Sequence, residues 1–256
     1  MMLVPLVWML STALKDRYSV FVMPPQWIPN PVVWTNFHEA LTFLPFGLFF
    51  RNTCYITFGC MVGEVVSASI IAFAFARLRA PGRDVLFVLV LATMMLPRQV
   101  TLVPMYVLFS KLGWIDTFKP FLIPSFFGVP FHIFLLRQYY MTIPLELDEA
   151  AKIDGASWAR VYAQITLPLS KAALTTVSIY SFMFHWNEFF RPLLYLDSRE
   201  KLTLPLALNR FRGDYGSTRW DLLMAASLVV LLPCILLFFF AQRYFIQGVV
   251  ATGVKG

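Results

Sequence analysis

Side chains able to do covalent or metal chemistry are few in this chain and poorly spaced for it. His38, His132 and His185 stand far apart with no H-E-x-x-H pair, and Cys54, Cys60 and Cys234 all fall in apolar stretches. Neither a zinc site nor a disulfide framework is expected. None of the 12 glycines opens a G-x-x-x-x-G-K-[ST] loop, so the chain lacks that means of cradling ATP. What remains is polar chemistry set in apolar surroundings. Glu64 is the lone acid of its apolar run. An intramembrane acid is expensive, so Glu64 is expected to face a cavity or a partner. His132 reads as a satisfied core histidine. His185, Trp186, Asn187, Glu188 and Arg191 cluster in and just beyond one helical turn. That mixture suits sugar recognition and suits an interfacial belt equally.

The richest stretch runs Glu149-Ala150-Ala151-Lys152-Ile153-Asp154-Gly155, then nine residues, then Ile165-Thr166-Leu167-Pro168. Pro144 fits the first turn of a helix whose positive end Glu146, Asp148 and Glu149 complement. Asp148 and Lys152 stand four apart and are expected to pair weakly. Gly155 can end the helix in the left-handed conformation. Ser157 can cap a second short helix reaching Ile165, and Pro168 marks the entry to the next apolar run. The expectation is a rigid helix–turn–helix outside the lipid, with small Ala150 and Ala151 allowing close approach of a partner. An amphipathic helix resting on headgroups would be basic, and this one is acidic.

The elements that must position these groups are membrane spans. At 59% hydrophobic, 14% charged and mean hydropathy +0.68, the chain carries more apolar surface than a soluble fold of 256 residues can bury. A span needs about 20 mostly apolar residues. Cys54–Ala76 supplies one. Val85–Pro97 opens another, interrupted at Arg98 and Gln99 and resumed to Phe109. Pro120–Leu136, Ala172–Leu196 and Leu222–Ala241 supply three more, Pro233 kinking the last. Met1–Leu14 is apolar but short, without the basic n-region of a signal peptide, and reads as a first span whose beginning is missing. The fold class is therefore all-α membrane protein, with six transmembrane helices and the first incomplete. The net charge of +7 is spread along loops, so nucleic acid is not an expected partner. Lys and Arg divide nine to 12 between the two sides, although the loop Arg77–Asp84 is dense in arginine, and orientation stays undecided on composition.

The Glu-Ala-Ala, Gly, Ile-x-Leu-Pro spacing resembles the EAA motif of permease subunits in binding-protein-dependent ABC importers. Met95-Leu96-Pro97 with Val103-Pro104, Ile143-Pro144 with Glu146-Leu147, and Trp186-Asn187-Glu188-Phe189 with Pro192-Leu193 are similar to the MalG-like carbohydrate branch. So are Thr203-Leu204-Pro205 and the ending Gln247-Gly248 to Gly253-Val254-Lys255-Gly256. The likeness covers nearly the whole chain from Leu3, the short first span being the departure.

The resemblance implies a single permease domain over residues 1–256, crossing the inner membrane with both termini in the cytoplasm. The loop 138–168 and tail 242–256 would then lie on the cytoplasmic side. It implies a coupling helix gripped by a cytoplasmic ATPase dimer, with Glu149, Ala150, Ala151, Asp154, Gly155, Ile165, Leu167 and Pro168 as its motif. Gly253 and Lys255 in the tail are candidates for a further ATPase contact. Glu64, Trp186, Asn187 and Glu188 are candidates for the solute path. The implied partners are a second permease forming a heterodimer, that ATPase, an extracytoplasmic solute-binding protein and membrane lipid. The permease itself is no enzyme and holds no cofactor or metal, ATP and Mg being bound by the ATPase. The expected cargo is a sugar or oligosaccharide; glycerol phosphate or another small polar solute is the alternative. A stand-alone secondary transporter or membrane-embedded enzyme is the rival of another class, although no catalytic constellation is visible.

Overall fold

The computed structural model describes residues 3–212 and 218–253, the last 13 of these and Arg98 by backbone alone. Among the described residues every regular element is helical. The chain opens with α1 (Val4–Ala13) and α2 (Thr35–Phe43), followed by the 32-residue α3 (Phe46–Arg77). At 1.5 Å per residue α3 is about 48 Å long, well beyond the roughly 30 Å of a hydrocarbon core. Then come α4 (Arg83–Ala92) and α5 (Arg98–Lys111). The paired segments Arg83–Met95 and Gln99–Lys111 meet at 99°. The bend falls at Pro97, which has no amide hydrogen for the helix ladder and forces Leu96 into an extended conformation.

The next helices are α6 (Lys119–Ser125) and α7 (Pro130–Met141). They are separated by a break in which Gly128 has φ +86° and lies against Ile71 and Ile133. Beyond them lie α8 (Leu145–Ile153), α9 (Trp158–Val161), a π-helical turn over Tyr162–Thr166, α10 (Leu167–Leu169) and α11 (Lys171–Trp186). The chain ends through α12 (Phe190–Tyr195), α13 (Leu204–Leu208) and α14 (Trp220–Gly253).

Phe46–Arg77, Lys119–Met141 and Trp220–Phe240 are long and apolar enough to cross a membrane, and the bent pair makes a fourth if its arms form one span. The expected span Ala172–Leu196 is divided: α11 stops at Trp186 and α12 begins at Phe190. Pro192 sits in the first turn of α12, where its missing amide hydrogen costs no intrahelical bond.

The chain separates into two compact units. The first combines residues up to Tyr55 with Trp186–Phe238. Here Asn36 Nδ2 donates to the carbonyls of Ala13 and Lys15, tying α2 to the end of α1. Asn52 Nδ2 donates to the carbonyls of Glu200 and Leu202, and Thr53 Oγ1 accepts the Leu204 amide, fastening the loop before α13 to α3. Arg219 joins Glu39 at 3.0 Å to buried Asp221 at 2.8 Å, and these carboxylates push its guanidinium further toward the charged form.

The second unit comprises Ile56–His185 with the chain from Phe239 on. Its α6 seats side chains against the bare glycine backbone of α3. A side chain at Gly59 would overlap Leu122, and one at Gly63 would overlap Ser125. Cys60 Sγ donates to the Phe121 carbonyl at 3.3 Å and Ser67 Oγ to that of Ser125 at 3.2 Å. Small residues four apart let membrane helices approach in this way. An apolar core of Ala68, Ala72, Phe73, Phe87, Leu136 and Val177 joins α3, α4, α7 and α11, and it extends through Ile143, Ala156 and Val161 to the hairpin that follows α7.

Candidate functional site

The hairpin Leu145–Thr166 follows local rules closely. Pro144 is the N-cap of α8, with Glu146 and Asp148 in the first turn. At the other end Gly155 adopts φ +80°. Its amide donates to Lys152 O at 3.1 Å and the Ala156 amide to Ala151 O at 2.9 Å, the paired bonds of a Schellman ending. Ser157 Oγ accepts the Arg160 amide at 3.3 Å and caps α9. The second helix departs from expectation: at Tyr162 it widens into the π turn, which precedes Pro168. A wide turn accommodates the missing amide hydrogen of proline and its clash with the carbonyl four residues earlier.

Asp148 does not pair with Lys152. Its side chain is 4% exposed, and Oδ2 lies 3.0 Å from Nε of Arg77, itself 2% exposed. The same guanidinium donates through Nη2 to the Ile143 carbonyl at 2.7 Å, so Arg77 grips both the segment entering α8 and the middle of the helix. Burial pushes the Asp148 carboxyl up from its ordinary value; Arg77 draws it back only in part, and neighbouring Glu149 adds to the rise. Lys152 turns the other way, donating to the Ala156 carbonyl at 2.9 Å with its ammonium 5.0 Å from the Trp158 ring centroid. A helix-face spacing rule sees Lys152 and has no knowledge of Arg77. The i,i+4 reading failed because burial of Asp148 rewards a partner from another element.

The motif residues divide by face. Glu149, Ala150, Asp154 and Gly155 are exposed, as are Leu145, Leu147 and Ile153, the last at 87%. Ala151 instead packs inward on the core with Ile165, so the second alanine of the triad backs the helix and does not front it. Leu167 is half-buried and Pro168 exposed. On the buried side Ser69 Oγ meets the hydroxyls of Tyr140 at 2.7 Å and Tyr162 at 2.8 Å, and Phe73 packs against the rings of Trp158 and Tyr162.

Glu64 is also buried, and its carboxylate is enclosed by side chains of this chain. Ser181 Oγ donates to Oε2 at 2.7 Å, His185 Nε2 lies 2.9 Å from Oε1, and His132 Nδ1 stands 3.6 Å from Oε2. His132, read as a core histidine, thus faces an acid. Ser181 and His185 stand four apart on α11, a spacing that signals a shared polar face and was not read from the sequence. The Gly59–Gly63 spacing was likewise legible and unread.

In the other unit Trp186 is 2% exposed. Its Nε1 donates to the Val230 carbonyl at 3.1 Å, and its ring meets Phe50 edge-on. Glu188 pairs with Arg191 at 3.1 Å. Asn187 is exposed and hydrogen-bonds the Cys234 thiol. Gly253 closes α14 by backbone, and Lys255 lies outside the described residues. Among the described residues no group of three or more His, Cys, Asp or Glu side chains is placed to hold a metal.

Residues 65–250 match the model of the family described as binding-protein-dependent transport system inner membrane component. The chain belongs to that family. The permease is 37% identical to a putative ABC transporter permease protein of Caldicellulosiruptor sp., over 99% of this chain and 92% of the relative. It is 33% identical to the arabinooligosaccharides transport system permease protein AraQ of Halalkalibacterium halodurans, over 89% of this chain and 81% of the relative. Its identity to the sn-glycerol-3-phosphate transport system permease protein UgpE of Yersinia enterocolitica is 32%, over 98% and 91% of the two chains. A solved bacterial ABC transporter involved in import of the acidic polysaccharide alginate shares the fold, with TM-score 0.86 and 23% identity over 95% of this permease and 91% of that chain. The permease is a multi-pass membrane component of an ABC importer, a transport subunit and not an enzyme.

Proposed function

We propose that this permease forms half of the solute path of an ATP-driven importer for a sugar or oligosaccharide, and that the exposed face of α8 is its coupling surface. The chain acts as one permease domain of six spans with both termini in the cytoplasm. α1, the bent α4–α5 pair and α11 with α12 serve as crossings beside the three long ones. A second permease completes the path, a cytoplasmic ATPase dimer supplies ATP and Mg chemistry, and a binding protein delivers solute from outside.

The observation that carries the coupling role is the two-faced hairpin. Asp148, Ala151, Ala156 and Val161 anchor it inward, while Glu149, Ala150 and the 87%-exposed Ile153 project outward. An exposed isoleucine beside an alanine and an acid, on a helix closed by a rigid turn, suits a groove on another protein. In this reading Gly155 fixes the turn, while Ile165, Leu167 and Pro168 seat and redirect the second leg. Of the path candidates, Asn187 and Glu188 are offered as solute contacts, whereas Glu64 and Trp186 are already engaged by this chain's own groups. Gly253 and Lys255 are offered as a further ATPase contact.

Glu149→Lys and Gly155→Pro are expected to abolish transport while membrane insertion stays intact. Wild-type solute-stimulated ATP hydrolysis in either variant would count against the coupling role. Purification should bring down an ATPase and a second permease in stoichiometric amounts. The UgpE relatives favour a second reading of the cargo, glycerol phosphate, and the solute retained by the copurifying binding protein decides between them.

A further inference from the structure

We infer that the buried Arg77–Asp148 pair is the strut through which movement of the coupling hairpin reaches the transmembrane helix α3, with Arg77 and Asp148 as positioning residues. The inference rests on the coupling role proposed for α8. Arg77 is the final residue of α3, and Asp148 lies in the middle of α8. Their 3.0 Å contact is shielded at both ends, with exposures of 2% and 4%, so water and salt screen it little. The added bond from Nη2 to Ile143 O at 2.7 Å means that one guanidinium holds two points of the hairpin. The Nη2 bond to Ile143 O sets the direction of the guanidinium while its charge holds Asp148, two tasks that an ammonium on a flexible stem does not combine.

The remaining contacts between hairpin and α3 are of other kinds. Phe73 against Trp158 and Tyr162 is apolar packing, which tolerates sliding, and Ser69 reaches the hairpin through a hydroxyl pair with Tyr162. A charged, desolvated contact resists displacement in every direction, because separating its partners leaves two unpaired buried charges. A pull on the exposed face of α8 is therefore delivered to the end of α3 chiefly by this pair.

The test uses the whole importer, purified with its ATPase and second permease and placed in nanodiscs. Cys54, Cys60 and Cys234 are replaced by Ala, and an environment-sensitive fluorophore is attached through Ile70→Cys, an exposed site on α3. Trapping with MgATP and vanadate shifts the fluorescence if α3 responds to the motor. Asp148→Asn is expected to keep phosphate release from ATP within about twofold and to shrink that shift by about fivefold or more. The exchanged pair Arg77→Asp with Asp148→Arg is expected to recover more than half of it. A merely structural role would lower assembly, phosphate release and fluorescence together.

An undiminished shift in Asp148→Asn overturns the strut. Should that variant fail to assemble, Arg77→Lys keeps the charge without the fork and is expected to lose about half of the shift; an unchanged shift there overturns the strut equally. Glu149→Lys separates the two ideas. Loss of motor attachment in Glu149→Lys with an unchanged shift in Asp148→Asn removes the strut and leaves the coupling surface standing. Normal attachment and transport in Glu149→Lys removes the coupling surface itself.

Discussion

Two buried carboxylates in the second unit, Glu64 and Asp148, are held in contrasting ways. Glu64, on α3 within the apolar span, is surrounded by a hydroxyl and two imidazoles contributed by α7 and α11. Asp148, on α8 outside the long spans, rests against one permanently charged guanidinium. The first arrangement is redundant: losing any one partner leaves others within reach. The second depends on a single residue, and it sits where the chain must pass from a rigid span to an exposed hairpin. Redundancy is found where the helices are packed, and the single grip where, on the proposed coupling role, a push or pull would be transmitted.

The largest expected effect comes from breaking the single grip. Arg77→Met strands a desolvated carboxylate and frees the Ile143 carbonyl, a loss of about 3–5 kcal/mol typical of an orphaned buried partner. Accelerated limited proteolysis between Thr142 and Ser157, with a lower melting temperature in detergent, would register it. Glu64→Leu comes next, leaving Ser181 and His185 without their acceptor at about 1–3 kcal/mol. A thermal shift equal to that of Arg77→Met would erase the proposed contrast. Gly155→Ala forces a side chain onto a residue at φ +80° and is expected to cost about 1–2 kcal/mol. Hydrogen exchange should show this as faster opening of α8 alone. Ser181→Ala, removing one of the partners of Glu64, is expected to cost only about 1 kcal/mol; a larger loss in melting temperature would show that the cluster is not redundant.

The smallest effect is one of pH. The folded Asp148 carboxyl binds its proton more readily than in the unfolded chain, because burial raises its pKa more than Arg77 lowers it. Its contribution to stability is therefore greatest in acid and is lost as pH rises through the folded value. The difference in melting temperature between wild type and Asp148→Asn should accordingly shift in favour of Asp148→Asn as pH rises above the ordinary carboxylate range. The opposite slope would mean that the guanidinium outweighs burial.

How much of this was legible follows the range of each interaction. Pro144, Gly155 and Ser157 act within their own turns, and their roles could be read from neighbours a few positions away. The apolar runs located the three long apolar helices for the same reason, and Pro97 accounts for a break that hydropathy alone blurs. Asp148 was misjudged because its partner lies on another helix, and a one-dimensional string does not say which face a residue presents; His132 is the buried histidine expected, its acid being what the string does not show. Ala151 shows the limit within a motif: its place in the Glu-Ala-Ala triad is plain, but only packing reveals that it points toward the core.

The enclosure of Glu64 also bears on how the chain is built. Ser181 and His185 lie 117 and 121 residues further on, so α3 is synthesised long before its acid can find them. A lone carboxylate costs about 2.5–3.5 kcal/mol at the centre of a nascent span. The segment's mean hydropathy of 1.9 can offset that, leaving α3 able to enter lipid by itself, with His132 of α7 the first partner to arrive and Ser181 and His185 of α11 the last. Truncation before α7 would then leave an inserted helix whose acid has none of these three partners, a recognisable signal for quality-control proteases.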